Sequence, residues 1–473
     1  MDFITEASDQ IRGWFYHLMF AGILGFDEKP YEKILYQGYV LRADGEKMSK
    51  SAGTTISPKD QLEEFGADLP RFYQLRLAPP WEQKNYDEDE IRNEIYRLFS
   101  VYWNTKEFLT THDSNVSKPD NLEIEDEWIL SRINSINDGA EQKMEDCHFF
   151  KLARDLEDFL VQDLSRWYVK KVRGRLKNDD EAAIWTQTQV LDKATKLMAP
   201  FSPYITEKVY QEINGEKVSV HMEDYPEADT ESIDKELEET MKVVREIIDQ
   251  STTIRDENQY NLRWPAKRLV ISTSDEQQEK LERFTGLIEE MANVKAVEFG
   301  DVESELKARP DYSALGPKFG VNADEVAEKI EELEHSQIEQ IQETGELEIK
   351  DYQLTPEDMK IESHTSEEVG SKNFEHGEIF LDIQRTEEIM DEAFVSEVLR
   401  AIQQKRKEAD LEVEDKVKLS FSGDVEPLQE QESEIRSRIN LSSLNFSGEV
   451  LEYSDSVEFE GRKIEFSFSE PVE

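Results

Sequence analysis

The sequence predicts an α/β fragment, then an all-α helix bundle, then C-terminal α+β modules. Three observations carry that prediction. Helix and strand signals alternate up to about residue 85, apolar residues recur three or four apart from there to about residue 225, and short β-rich runs alternate with helices beyond. A chain of 473 residues exceeds one ordinary domain. We divide it into four segments: 1–85, 86–225, 226–300 and 301–473.

In the first segment, Ile11, Trp14, Phe15, Leu18 and Met19 have helical spacing, which predicts a helix over Gln10–Ala21, while Ile34–Leu41 reads as a short strand. Ser57, Pro58 and Asp60 form an N-cap, a first-turn proline and a capping acid, so a helix is expected to start near Pro58. In the second segment, Ile91, Ile95, Leu98, Phe99 and Tyr102 open a long helical pattern, broken by the polar stretch Thr111–Asn121 and punctuated by Pro200 and Pro203. Asp224–Asp229 reads as a linker. The third segment predicts helix Asp234–Gln250, strand Arg268–Ser272, helix Glu276–Met291 and strand Val294–Phe299. The fourth predicts helix Asn322–Glu343, strands near Leu347–Ile349 and Ile379–Gln384, helix Glu387–Glu408 and strand Val417–Phe421. No internal repeat is legible.

Lys and Arg number 56 against 106 Asp and Glu, a net charge of −50. Such a charge repels itself in dilute buffer, whereas at molar salt the Debye length shrinks to about 3 Å, so salt adaptation is the expectation. A disordered acidic chain would be poor in aromatics, and 23 Phe, 16 Tyr and 7 Trp argue for folded domains coated with acid. No run approaches the roughly 18 apolar residues of a membrane span. The N-terminus opens acidic, without the basic and apolar regions of an export signal, and cytoplasmic residence is expected. Cys147 is the only cysteine, and the seven histidines have no chelating spacing, so no side-chain metal site is expected.

The chemistry concentrates at Lys47-Met48-Ser49-Lys50-Ser51, preceded by Asp44-Gly45-Glu46 and followed by small residues. Two lysines with interleaved hydroxyls offer charges and hydrogen bonds to a triphosphate, on a loop able to close. A solvated basic turn would explain a bare pair of lysines, but not all five residues in this setting. A second feature lies between Arg166 and Lys177: Arg166, Lys170, Lys171, Arg173, Arg175 and Lys177, with no acid among them. In α-helical geometry Arg166, Lys170, Arg173 and Lys177 share one face suited to a phosphate backbone.

The Lys47–Ser51 loop resembles the signature loop of class I aminoacyl-tRNA synthetases, which clamps ATP during amino-acid adenylation. The resemblance implies that the first segment is the C-terminal part of a Rossmann-like catalytic domain, that all five loop residues bind ATP, and that Lys47 and Lys50 are catalytic, with Lys50 contacting phosphates in the transition state. Magnesium-bound ATP is then a substrate. Glu6-Ala7-Ser8-Asp9-Gln10-Ile11-Arg12-Gly13-Trp14-Phe15 is similar to a segment of the isoleucyl branch, with Ala7 in place of a glycine. By that match Glu6, Asp9 and Gln10 bind the aminoacyl-adenylate.

Leu164–Arg173 is like the basic helix of the branch's anticodon-binding bundle, which implies that Arg166, Lys170, Arg173 and Lys177 bind isoleucine tRNA. Val220–Asp224 resembles the end of that bundle. Asn258–Pro265, Leu315–Gly320 and Gln404–Leu411 look like the C-terminal region of archaeal and eukaryotic-type members. The implied function is ATP-dependent activation of isoleucine and its transfer to tRNA, with valine as the alternative amino acid and neither membrane nor DNA as a partner. The His-containing signature and the editing domain of that branch are not in these 473 residues, so the expectation is a C-terminal half, inactive alone. Its alternatives are the subunit of a split enzyme, with the N-terminal half a separate polypeptide, and a non-catalytic tRNA-binding protein.

Overall fold

A computed structural model describes residues 1–49, 51–112, 116–213, 217–302, 305–349, 352–364, 368–412 and 415–470. Two compact units divide the chain at Met1–Met241 and Lys242–Glu473.

The first unit opens with two parallel strand pairs joined by helical crossovers. Phe3–Ala7 pairs with Lys33–Gln37 around helix Trp14–Phe26, and Val40–Arg42 pairs with Lys84–Tyr86 around helices Pro58–Phe65 and Asp68–Leu77. The helix expected from Gln10 begins at Trp14, because Ser8–Arg12 forms a 3-10 turn, and the Trp14 amide donates to the Gln10 side-chain oxygen Oε1 at 3.1 Å. The single strand expected over Ile34–Leu41 is two strands. At Gly38, where they part, a Cβ would lie 1.9 Å from the Glu82 carbonyl oxygen, so only glycine admits this approach. The helix expected at Pro58 starts there, and Ser57 accepts from the Asp60 amide.

The bundle follows. Its main helices are Tyr96–Thr110, Ile124–Asp138, Phe149–Asp158, Glu181–Met198 and Pro203–Glu212. Phe149–Asp158 continues without a break as a π-helical stretch, Phe159–Val169, and then as α-helix Lys170–Lys177. Phe72, Tyr102, Trp128, Phe159, Tyr168 and Phe201 are fully buried, and burying each such apolar side chain stabilises the fold by about 2–3 kcal/mol. The Tyr102 hydroxyl meets the Thr195 hydroxyl at 2.6 Å, so its polar end is satisfied inside the core. Helix Trp14–Phe26 contrasts with this packing. Phe15 is its one buried residue, and Phe20, Leu24 and Phe26 are exposed.

In the second unit the structure corrects the expectation of no repeat. Helix Lys235–Glu257, which crosses the boundary between the units, leads to strand Arg268–Thr273, helices Asp275–Leu281 and Thr285–Ala292, and strand Val297–Phe299 parallel to the first strand. A hairpin, Val369–Phe374 with Gly377–Asp382, completes the sheet, its second strand antiparallel to Arg268–Thr273. The same succession then recurs. Helix Glu387–Glu408 leads to strand Val417–Gly423, helices Glu426–Glu430 and Glu432–Arg438, parallel strand Leu441–Asn445, and hairpin Tyr453–Phe459 with Arg462–Phe468, whose second strand is antiparallel to Val417–Gly423. The strand order is the same in both sheets: third, fourth, first, second.

Each long helix ends on a buried arginine. Arg255 donates to the carbonyls of Asn261 and Trp264, six and nine residues on. Arg406 donates to those of Glu412 and Asp415, at the same offsets. The residue four after each arginine, Gln259 or Asp410, has positive φ (51° and 55°). Residues 300–368 interrupt the first copy and carry a separate core around Leu315, Ile330, Ile338 and Leu354.

Candidate functional site: a phosphate loop and a basic helix

Strand Val40–Arg42 ends in a tight turn whose Gly45 has φ 80°, a conformation that favours glycine. The Arg42 amide donates to the Glu46 carbonyl at 2.9 Å, and Leu41 bridges to Lys47. Beyond the turn the chain closes on itself between Ser49 and Thr54. The Ser49 amide donates to the Thr54 hydroxyl at 3.0 Å, and the Thr54 amide returns a bond to the Ser49 carbonyl at 3.1 Å. The Ser49 and Ser51 hydroxyls lie 3.0 Å apart. Lys47 is exposed, its ammonium 5.3 Å from the centroid of the Tyr39 ring, and Met48 is half-buried. Lys50, the residue expected to matter most, lies outside the described residues.

Glu6 lies next to the final residue of strand Phe3–Ala7 and is exposed, with one carboxylate oxygen 2.9 Å from the Ala7 amide. Asp9 and Gln10 sit in the 3-10 turn that follows, where the Gln10 amide nitrogen faces Asp9 at 3.4 Å. The three residues therefore lie at the carboxyl end of a parallel strand, the place where open α/β sheets bind ligands.

On the basic helix the structure separates six residues that the sequence leaves together. Arg166, Lys170, Arg173 and Lys177 are exposed, although Arg166 stands in the π-helical stretch. Arg166 is held by Gln162 at 2.9 Å, and the Arg173 guanidinium lies 5.7 Å from the Phe108 ring centroid. Arg175 turns inward. It donates to Asp126 at 2.7 Å, Glu125 at 3.1 Å and Asp180 at 3.2 Å, and the Tyr168 hydroxyl donates to the other oxygen of Asp126 at 2.6 Å. Lys171 faces Glu125 at 3.6 Å. Burial works against the charge of Arg175, but the carboxylates of Asp180 and Asp126 outweigh it and hold the guanidinium protonated. Burial likewise pushes Asp180 up, and the bonds from Arg175 and the Ala183 amide bring it below the usual carboxylate range. Sequence reasoning missed Glu125, Asp126 and Asp180. Their signal was weak, because helix N-terminal acids are common on any surface.

Comparison with known proteins gives two family matches. Residues 1–87 match the family model for class I tRNA synthetases (I, L, M and V), and residues 126–271 match that for the anticodon-binding domain of tRNA ligase. Over most of its length the chain is also similar to isoleucine–tRNA ligases. It is 37% identical to that of Pyrococcus abyssi over 88% of this chain and 40% of the relative. It is 35% identical to that of Methanocaldococcus jannaschii over 89% of this chain and 42% of the relative. For that of Archaeoglobus fulgidus the figures are 34%, 98% and 46%. The chain thus spans less than half the length of these relatives. Among the described residues no helix is long and apolar enough to cross a membrane, and no cluster of three or more His, Cys, Asp or Glu could hold a metal ion.

Proposed function

We propose that this chain supplies the ATP-clamping loop and the tRNA-binding surfaces of an isoleucine–tRNA ligase. The observation that carries the reading is the Lys47–Ser51 loop, anchored behind a parallel strand inside the segment that matches class I synthetases. In the first half-reaction the isoleucine carboxylate attacks the α-phosphorus of magnesium-bound ATP and pyrophosphate leaves. Lys47 and Lys50 neutralise charge on the departing phosphates, Ser49 and Ser51 add hydroxyls, and the Met48 stem seats the loop. A loop closed between Ser49 and Thr54 can move as a flap. Glu6 and Asp9 suit ribose hydroxyls or the ammonium group of the adenylate, and Gln10 a carbonyl. In the second half-reaction a terminal ribose hydroxyl of isoleucine tRNA displaces AMP, while the Arg166, Lys170, Arg173 and Lys177 face holds the RNA.

The four segments are the end of the catalytic domain, the anticodon bundle and two C-terminal α+β regions. These 473 residues alone do not form the adenylate; the rest of the site is in the same polypeptide or, in the second reading, in a partner subunit. Isoleucine, not valine, is the amino acid, because the curated relatives quoted above are isoleucine–tRNA ligases. The protein works in cytoplasm at high ionic strength. Dialysis below about 0.1 M salt, where the Debye length exceeds roughly 10 Å, should unfold it by circular dichroism; full structure and unchanged heat stability in dilute buffer would refute salt adaptation. Isoleucine-dependent pyrophosphate exchange tests the main reading: the expected outcome is activity with the complete ligase and none with the 473 residues, and robust exchange by the latter alone would overturn it.

A further inference from the structure

The duplication in the second unit supplies an internal control for surface charge, because two stretches with the same fold position have opposite compositions. From Asn258 to Ser274, seventeen residues after the first long helix, there are three basic residues, Arg263, Lys267 and Arg268, and no acid. The corresponding seventeen residues of the second copy, Ala409–Val425, hold five acids and two lysines. Both corners are built alike, on a buried arginine that binds carbonyls six and nine residues on. The fold therefore does not demand basic residues there. In a chain of net −50 an acid-free basic stretch is the same signature that marks the Arg166–Lys177 helix.

The first corner is also presented outward. Leu262 and Arg263 are exposed, and the Lys267 side chain is 50% exposed. Their acidic neighbours are loosely held: Arg263 to Glu397 at 3.7 Å and Lys267 to Asp382 at 4.0 Å. Glu397 and Asp382 are themselves mostly buried, 15% and 11% exposed, while the Arg263 and Lys267 side chains are about half exposed, so both cations stay open to a phosphate from the solvent side. Arg255 fixes the backbone beneath them, donating also to the carbonyls of Ala292 and Asn293 at 2.9 and 2.7 Å. The corner falls within residues 126–271, the anticodon-domain match, and the second corner falls outside it.

We propose that the Asn258–Arg268 corner is a second RNA contact, in which Arg263 and Lys267 hold tRNA phosphates, and that its twin at Ala409–Lys418 is not. The inference rests on the tRNA-binding reading above. The test is filter binding of an isoleucine tRNA transcript to the full chain across a salt series. Arg263→Gln with Lys267→Gln should weaken binding several-fold and lower the slope of log affinity against log salt by about two. Lys416→Gln with Lys418→Gln, at the twin corner, should change neither. All four side chains are solvent-facing, and equal melting temperatures check that folding is retained. Equal effects at both corners, or none at the first while Arg166→Gln with Lys170→Gln weakens binding, would overturn the second contact and leave the basic helix standing. No effect from any of the three pairs would overturn both.

Discussion

In the proposed function the Lys47–Ser51 loop and the basic helix both present cations to nucleotide phosphates, yet they are supported in opposite ways. Among the described residues the loop closes between Ser49 and Thr54, and Lys47 rests on an exposed tyrosine ring. The helix stands on Arg175, Tyr168, Glu125, Asp126 and Asp180, a network in which Asp126 is fully buried. The difference suits the two tasks. A clamp that follows a phosphate through a transition state needs few constraints, whereas a face that receives a large RNA is better fixed in advance, because ordering it on binding would subtract from affinity.

The comparison breaks most visibly at the helix. Arg175→Ala leaves Asp126 buried without its cation and Glu125 with Lys171 alone, and urea unfolding should show a loss of about 3–5 kcal/mol. A loss under about 1 kcal/mol would mean that the network is not what holds the helix. The pH dependence is smaller and sharpens the point. Asp180 titrates below its unfolded value, so its contribution is complete above the unfolded pKa and fades as pH falls through the lower folded one. Arg175→Ala should flatten stability over that acidic window, and a profile parallel to the parent's would place the proton elsewhere. Smallest of all, Arg166→Gln or Lys170→Gln should alter stability by less than about 0.5 kcal/mol, since both side chains are exposed and neither enters the network.

What the sequence revealed follows from how locally each feature is determined. Helix Glu387–Glu408 was legible residue for residue, because Thr386 caps it and Ala409 ends its apolar rhythm. The break at Gly38 was not, since it depends on the Glu82 backbone more than forty positions away. The duplication escaped for a similar reason. Residues 300–368 separate the second and third strands of the first copy, and equivalent corners carry Arg-Trp-Pro-Ala-Lys in one and Glu-Asp-Lys-Val-Lys in the other. Their likeness lies in hydrogen bonds at offsets of six and nine from each arginine and in the positive-φ residue four after it. At the candidate site, motif spacing picked out the four exposed cations of the basic helix but could not single out Lys171 and Arg175 as the ones turned inward, because that depends on acids some fifty positions earlier in the chain.

The most direct measurement separates the loop from the helix in one enzyme. In the complete ligase, pyrophosphate exchange and tRNA affinity are measured for Lys50→Ala and for Arg166, Lys170, Arg173 and Lys177 changed together to Gln. Lys50→Ala should slow adenylation by on the order of 10²–10³-fold, with isoleucine and tRNA affinity nearly unchanged. The fourfold variant should leave exchange intact, weaken tRNA binding and reduce its salt dependence. If Lys50→Ala instead weakens only amino-acid binding, or the fourfold variant slows exchange while tRNA binds normally, the assignment of clamp to loop and RNA to helix is contradicted.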